Sequence, residues 1–252
     1  RPDLLVSFGH SRDELAGCLY DSLHERLMTL PDATRVFPGH GAGSACGKNL
    51  STDTSSTIGE QRRSNYAVKA PDRETFIGLI TEGQPTAPAY FPYDAVLNQS
   101  EHGLLDEDQL PTSLSLDEVD AAIAGGAVLV DVRDPEDFAR GHLVGAINVG
   151  LNGRYAEFAG SVVPVDVDIV LFADPGTELE AKNRLARIGF DRVVGNLVDP
   201  YEAMTENPSR TASASRLTSG VLAERIADID DLQVVDVRGV GECGTEGVIP
   251  GS

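Results

Sequence analysis

The sequence is poor in lysine and cysteine and has no long apolar run, and each shortage excludes something. Only three of its 20 basic side chains are lysine (Lys48, Lys69, Lys182), against 40 acidic ones, so the 252-residue chain carries a formal charge of −20. So acidic a surface repels phosphate backbones and anionic lipid, which argues against a nucleic-acid or membrane partner. No apolar stretch approaches the ~20 residues that span a bilayer, and no basic start with an apolar centre marks a secretory signal. The expectation is a cytoplasmic protein. Three cysteines, Cys18, Cys46 and Cys243, are too few and too scattered for a disulfide framework or a closed zinc site. What the chain does have is 41% hydrophobic residues, enough for a core, and a length that predicts one or two domains at ~100–200 residues each. It opens at Arg1-Pro2-Asp3 and stops at Ile249-Pro250-Gly251-Ser252, which reads as a fragment.

Leucines at 15, 19, 23, 27 and 30 recur at steps of three and four and predict an amphipathic helix over 11–30, with Ser11 and Glu14 as its capping box. That face takes in Cys18 as core. A short strand at Arg35–Phe37 runs into Pro38-Gly39-His40-Gly41-Ala42-Gly43-Ser44, where closely spaced glycines mark a tight loop. Helices follow near Ile58–Val68 and Arg73–Thr81, and the prolines of Pro85–Pro92 predict extended surface chain. The acidic run Glu101–Pro111 reads as a linker.

Beyond it, strands alternate with helices. Ser115 and Glu118 cap a helix over 116–124; strands are expected at 127–132, 147–149, 168–172 and 192–194, with a helix over 178–188. Such alternation implies an α/β domain with a parallel sheet. Glu206–Ser215, rich in Ser, Thr and Pro, reads as a second linker. Val130-Asp131-Val132-Arg133, Glu136 and Gly141-His142 then return as Val235-Asp236-Val237-Arg238, Glu242 and Gly247-Val248. The copies lie 105 residues apart, from Asp131 to Asp236, a domain-sized repeat rather than a solenoid unit.

The Asp-Val-Arg, Glu, Gly-His/Val pattern resembles the rhodanese family in both copies. In that family a cysteine after the central strand carries a persulfide in a nest of backbone N–H groups at a helix start, where the positive helix end lowers a thiol pKa. The resemblance puts Ala173 at that position. The loop Ala173-Asp174-Pro175-Gly176-Thr177-Glu178 has no thiol, loses a donor at Pro175 and carries two carboxylates. Sulfur transfer by this copy is not expected, and a docking or scaffold role is.

Residues 1–105 resemble the C-terminal part of an αββα metallo-β-lactamase fold, through Arg1-Pro2-Asp3-Leu4, the leucine-rich helix and Pro38-Gly39-His40-Gly41. The fold's His-x-His-x-Asp-His loop is absent from this sequence. The resemblance makes His40 a second-site or near-metal residue. The expected organisation is 1–105 metallo-β-lactamase-fold, 113–203 rhodanese-like without its cysteine, and 214–252 the start of a second rhodanese. This order, which covers nearly the whole chain, is similar to the persulfide dioxygenase–sulfurtransferase fusions of bacterial sulfide metabolism. That implies Fe(II), O₂ and a low-molecular-weight thiol persulfide for the intact parent, with the fragment itself inactive. The alternatives are a two-zinc hydrolase of glyoxalase II type, with His40 a true ligand, and a non-enzymatic rhodanese-like interaction module. The sequence leaves a homo-oligomer open.

For single residues the plainer readings stand beside these. Cys46 is a sulfur-accepting thiol facing the metal or an inert loop thiol. His10, His24 and His102 face solvent, His142 serves local hydrogen bonding, and Asp131-Arg133 and Asp236-Arg238 are structural ion pairs. Arg62 and Arg63 either meet an anionic substrate or belong to a solvated helix face.

Overall fold

The computed structural model describes all residues except 1, 4, 5, 42–49, 85, 86, 102 and 239, and all side chains of these except at 7 and 240–242. After a 3₁₀ turn at Val6–Phe8, α1 (Arg12–Ser22) starts where Ser11 Oγ accepts from the Glu14 N–H while Glu14 accepts from the Ser11 N–H. It continues as a π turn over Leu23–Leu27. β1 (Arg35–Val36) pairs antiparallel with β2 (Ser56–Thr57), and Thr57 caps α2 (Ile58–Ser64). α2 stops short of the expected Val68 because Asn65 turns extended and its Oδ1 accepts from the N–H groups of Ala67 and Val68.

α3 (Arg73–Thr81) packs on α1, with buried Phe76 edge-on to Tyr20 at 5.4 Å. This contact rotates the buried stripe of α1 away from the one the leucines predict. Ala16 and Gly17 lie beneath α3, whereas Cys18 is exposed and not core. His24 is half-buried rather than solvent-facing; its ring lies 4.2 Å from Tyr20, and its Nε2 is enclosed without a hydrogen-bond partner. The stretch expected to be extended surface chain instead contains buried Tyr90 and α4 (Phe91–Leu97). Pro92 sits in the first turn of α4, where a missing N–H costs nothing.

The second unit carries β3 (Ser113–Leu114), α5 (Leu116–Ala124), β4 (Val128–Asp131), α6 (Pro135–Arg140), β5 (His142–Leu143), β6 (Ile147–Asn148), α7 (Tyr155–Val162), β7 (Ile169–Phe172), α8 (Glu178–Ala186), β8 (Val193–Leu197) and α9 (Pro200–Glu206). Five strands form a parallel sheet in the order β3-β8-β7-β4-β6. β7 is apolar throughout, and β4 is apolar up to its last residue, Asp131, because both faces are covered. Val130, Val132, Ile169 and Leu171 point into one cluster with Tyr155, Leu185 and Phe190; Leu129, Val170 and Phe172 point into the other with Val119 and Leu197. The protein is thus α/β with a parallel sheet, as its strand and helix alternation predicts.

Both segments read as linkers are held on this unit. The buried Lys182 ammonium donates to the carbonyls of Asp106 (2.7 Å) and Gln109 (2.6 Å), and Asn183 donates to that of Glu107. Upstream, Tyr90 belongs to the core cluster and its ring lies directly on Gly160. Downstream, β9 (Thr211–Ala212) pairs antiparallel with β5, and Ala214 donates to the Ala139 carbonyl. The last residues form α10 (Ser219–Asp228) and α11 (Val240–Glu246). The repeat of the β4 motif at Val235–Val237 is not a strand. No strand pairs with it among the described residues, and Val235 and Val237 stand 77% and 91% exposed. No helix among the described residues is long and apolar enough to cross a membrane.

Candidate functional site

At the carboxyl end of β7 the chain leaves the sheet through Ala173, which is 2% exposed and part of the core cluster. The turn that follows needs a left-handed residue, which Gly176 supplies at φ +91°. This loop and the start of α8 make the N–H-rich, positive end of a helix, a place that favours an anion. The anion here belongs to the chain. The Glu178 carboxylate reaches back and accepts from the Gly176 N–H at 2.8 Å. The Thr177 N–H and hydroxyl both donate to the Asp174 carbonyl. The Tyr201 hydroxyl, from the first turn of α9, donates to the Asp174 carboxylate. That bond and burial push the Tyr201 hydroxyl above its usual range.

Behind the loop lies a buried ion pair. Arg133 donates from Nη2 to Asp131 Oδ2 at 2.6 Å and to the Gly141 carbonyl at 2.8 Å, and from Nε to Asp131 Oδ1 at 3.0 Å. Both side chains are sealed from water, at 1% and 0% exposure. Burial pushes the Asp131 carboxyl up, against the pull of the Arg133 bonds. The guanidinium also stacks on Phe172 at 4.1 Å and faces Tyr201 at 5.4 Å, which ties the pair to the loop. His142 Nδ1 bonds the Phe138 carbonyl at 2.8 Å, and its ring stacks on Phe138, a local role as expected. The arrangement joins Ala173, Asp174 and Gly176 to Arg133 and Tyr201, and it contains no thiol.

In the first unit His40 is exposed at the rim of a cavity of about 470 Å³ that also meets Val36, Asp53, Gln61 and Tyr66. Among the described residues no three His, Cys, Asp or Glu side chains converge as a metal site. One imidazole and one carboxylate, Asp53, among hydroxyls and amides are too few for the donor set of iron or zinc, so these residues do not by themselves fit a metal. Cys46 lies outside the described residues, as does His102. Arg62 is structural: it donates to the carbonyls of Met28 and Leu30 and pairs with Asp32. Tyr201 escapes sequence reasoning, since only its place just after Asp199-Pro200, at a helix start, hints that it faces the loop.

The family model of the rhodanese-like domain matches residues 115–207. Thiosulfate sulfurtransferase 16, chloroplastic, from Arabidopsis thaliana is 29% identical over 115 residues, 41% of this chain and 95% of that protein. The crystal structure of a metallo-β-lactamase from Staphylococcus aureus subsp. aureus COL is similar with a TM-score of 0.63 at 26% identity, covering 74% of this chain and 51% of that one. The chain thus spans about half the length of that structure. A share of 74% is more than residues 1–105 can supply, so the likeness runs on beyond the first unit.

Proposed function

We propose that this chain belongs to a sulfur-metabolism fusion in which a metallo-β-lactamase-fold unit oxidises a low-molecular-weight thiol persulfide and the rhodanese-like unit at 115–207 serves as a non-catalytic module. The fusion of the two unit types is supported by the rhodanese-like match together with a metallo-β-lactamase likeness too long for the first unit alone. In the proposed reaction the persulfide, O₂ and one water give sulfite, the free thiol and two protons, the outer sulfur being oxidised as O₂ is reduced, with Fe(II) as the metal. No residue described here is assigned to that metal, because no donor set converges.

The non-catalytic reading of the second unit rests on one observation: Ala173 is a buried methyl, and the Glu178 carboxylate already occupies the Gly176 N–H beside it. A thiosulfate-to-cyanide transfer assay on the chain tests it, with no turnover expected; transfer that survives alkylation of all three cysteines would overturn it. Metal analysis and oxygen uptake with glutathione persulfide, on the longest natural form of the protein, test the oxidation. One iron and persulfide-dependent oxygen uptake are expected, whereas two zinc ions with thioesterase activity would replace this reading by the hydrolase one.

A further inference from the structure

We infer that α4 is a pH-sensitive clasp, seating the chain that precedes the rhodanese-like unit more firmly as the pH falls. The seat is Gly189, just past the end of α8, in the left-handed conformation at φ +73°. A Cβ there would lie 2.8 Å from Asp94 Oδ1 and from Leu97 Cδ2, and 3.2 Å from the Tyr93 ring. One face of α4 therefore rests directly on that backbone. Together with the Lys182-held segment, α4 closes over a cavity of about 290 Å³, into which Asp94, Asn98, Glu107, Asn183, Arg187 and Asp191 face.

The charges around Asp94 decide the sign. It stands at the carboxyl end of α8, the negative end of the helix dipole, beside the Asp191 carboxylate and half-buried. Glu107 adds negative charge from the segment above, and Arg187 is exposed at the rim. Arg192 is engaged by Asp166 and Asp168. Burial, then Asp191, hold the Asp94 carboxyl above its ordinary range. A carboxyl that binds its proton more tightly when docked favours docking below its unfolded range, and that contribution is lost as pH rises through the raised range.

Hydrogen exchange on the full chain, corrected for the intrinsic rate at each pH, tests the clasp. The amides of Asn98 and Gln99, which donate to the carbonyls of Asp94 and Val96, report the opening of α4. Their protection should rise several-fold as the pH falls from about 7 towards the ordinary carboxylate range. Asp94→Asn should flatten that rise while sheet amides in β4 and β7 stay unchanged. If Asp94→Asn disturbs the sheet amides, Asp191→Asn carries the test and should reduce the rise. Protection of α4 that does not change with pH, or that keeps its full rise in the variant that leaves the sheet intact, would overturn the clasp.

Discussion

Arg133→Met against Arg238→Met compares one hydrogen-bond pattern in two surroundings. Arg238 reproduces the Arg133 geometry, with Nη2 2.7 Å from Asp236 Oδ2 and 2.8 Å from the Gly247 carbonyl. The surroundings differ: the first pair is 1% and 0% exposed with its guanidinium on Phe172, whereas the second is 35% and 17% exposed with Arg238 also 3.5 Å from Glu246. Methionine at 133 would leave the Asp131 carboxylate without its partner in an apolar core and the Gly141 carbonyl without that donor. Stranding one member of a buried pair costs roughly 3–5 kcal/mol, and the lost stacking on Phe172 adds on the order of 1 kcal/mol. Against a typical stability of about 5–15 kcal/mol that is a large fraction. At the exposed site water takes over both partners, and no resolvable change is expected. The chain has no tryptophan, so urea unfolding is best followed by circular dichroism. The loss at 133 should shrink as the pH falls. A lone Asp131 has its folded pKa raised above the unfolded value, so its contribution is greatest at low pH and is lost as pH rises through the folded value. Adding Asp131→Asn should recover much of the loss. Equal losses at 133 and 238, or a loss at 133 under about 1 kcal/mol, would refute the reasoning.

Further outcomes follow from the same contacts. Ala173→Cys should give a thiol slow to react with iodoacetamide at neutral pH, since burial and the carboxylates of Asp174 and Glu178 disfavour the thiolate; adding Glu178→Gln should speed the reaction, and a fast single variant would contradict this. Lys182→Met should raise hydrogen exchange across 104–111 and leave β4 and β7 protected, because it removes two donors to that segment; unchanged exchange there would assign the hold to other contacts. Gly160→Ala should cost about 1–3 kcal/mol in urea unfolding, as overpacking does, because its methyl would meet the buried Tyr90 ring 2.2 Å away. Asp236, held down to about 2 by the Arg238 hydrogen bonds, should stay ionised in carboxyl ¹³C spectra until the most acid part of the titration; an ordinary midpoint would mean the second clamp is open in solution.

The parts readable from sequence are those whose cause is local. β4 and β7 announce themselves by the apolar runs 128–130 and 169–172 because both faces are buried, and α1 and α5 start where Ser11 with Glu14 and Ser115 with Glu118 say they should. What escapes is long-range or depends on a proline's place. Pro92 looks like a breaker yet sits in the only turn of α4 that tolerates it. The run Glu101–Pro111 looks like a linker because its composition is acidic and turn-rich; the group that holds its Asp106 and Gln109 carbonyls, Lys182, is 76 residues from Asp106 and bonds backbone, which no side-chain pattern records. The Leu spacing in α1 fixes the helix but not which of its faces α3 covers, and that choice exposes Cys18. At the candidate site Ala173, Asp174 and Gly176 follow from the motif, whereas Tyr201 arrives from 27 residues away.

The carboxylates of the loop after β7 decide how that helix start treats an approaching anion. A helix start that presents free N–H groups attracts whatever anion is at hand, and without one those donors would be left to water or to solutes. Glu178 ends that exchange at Gly176, because its carboxylate is already tethered in the first turn of α8 and loses little freedom on bonding. Asp174 is fixed in turn by Tyr201, whose ring faces the buried Arg133 guanidinium. An external anion would have to displace a tethered carboxylate and sit beside a second one. A cysteine introduced at 173 would therefore stand beside two carboxylates that disfavour its thiolate, and anion binding at this loop would require changes at 174 and 178 as well.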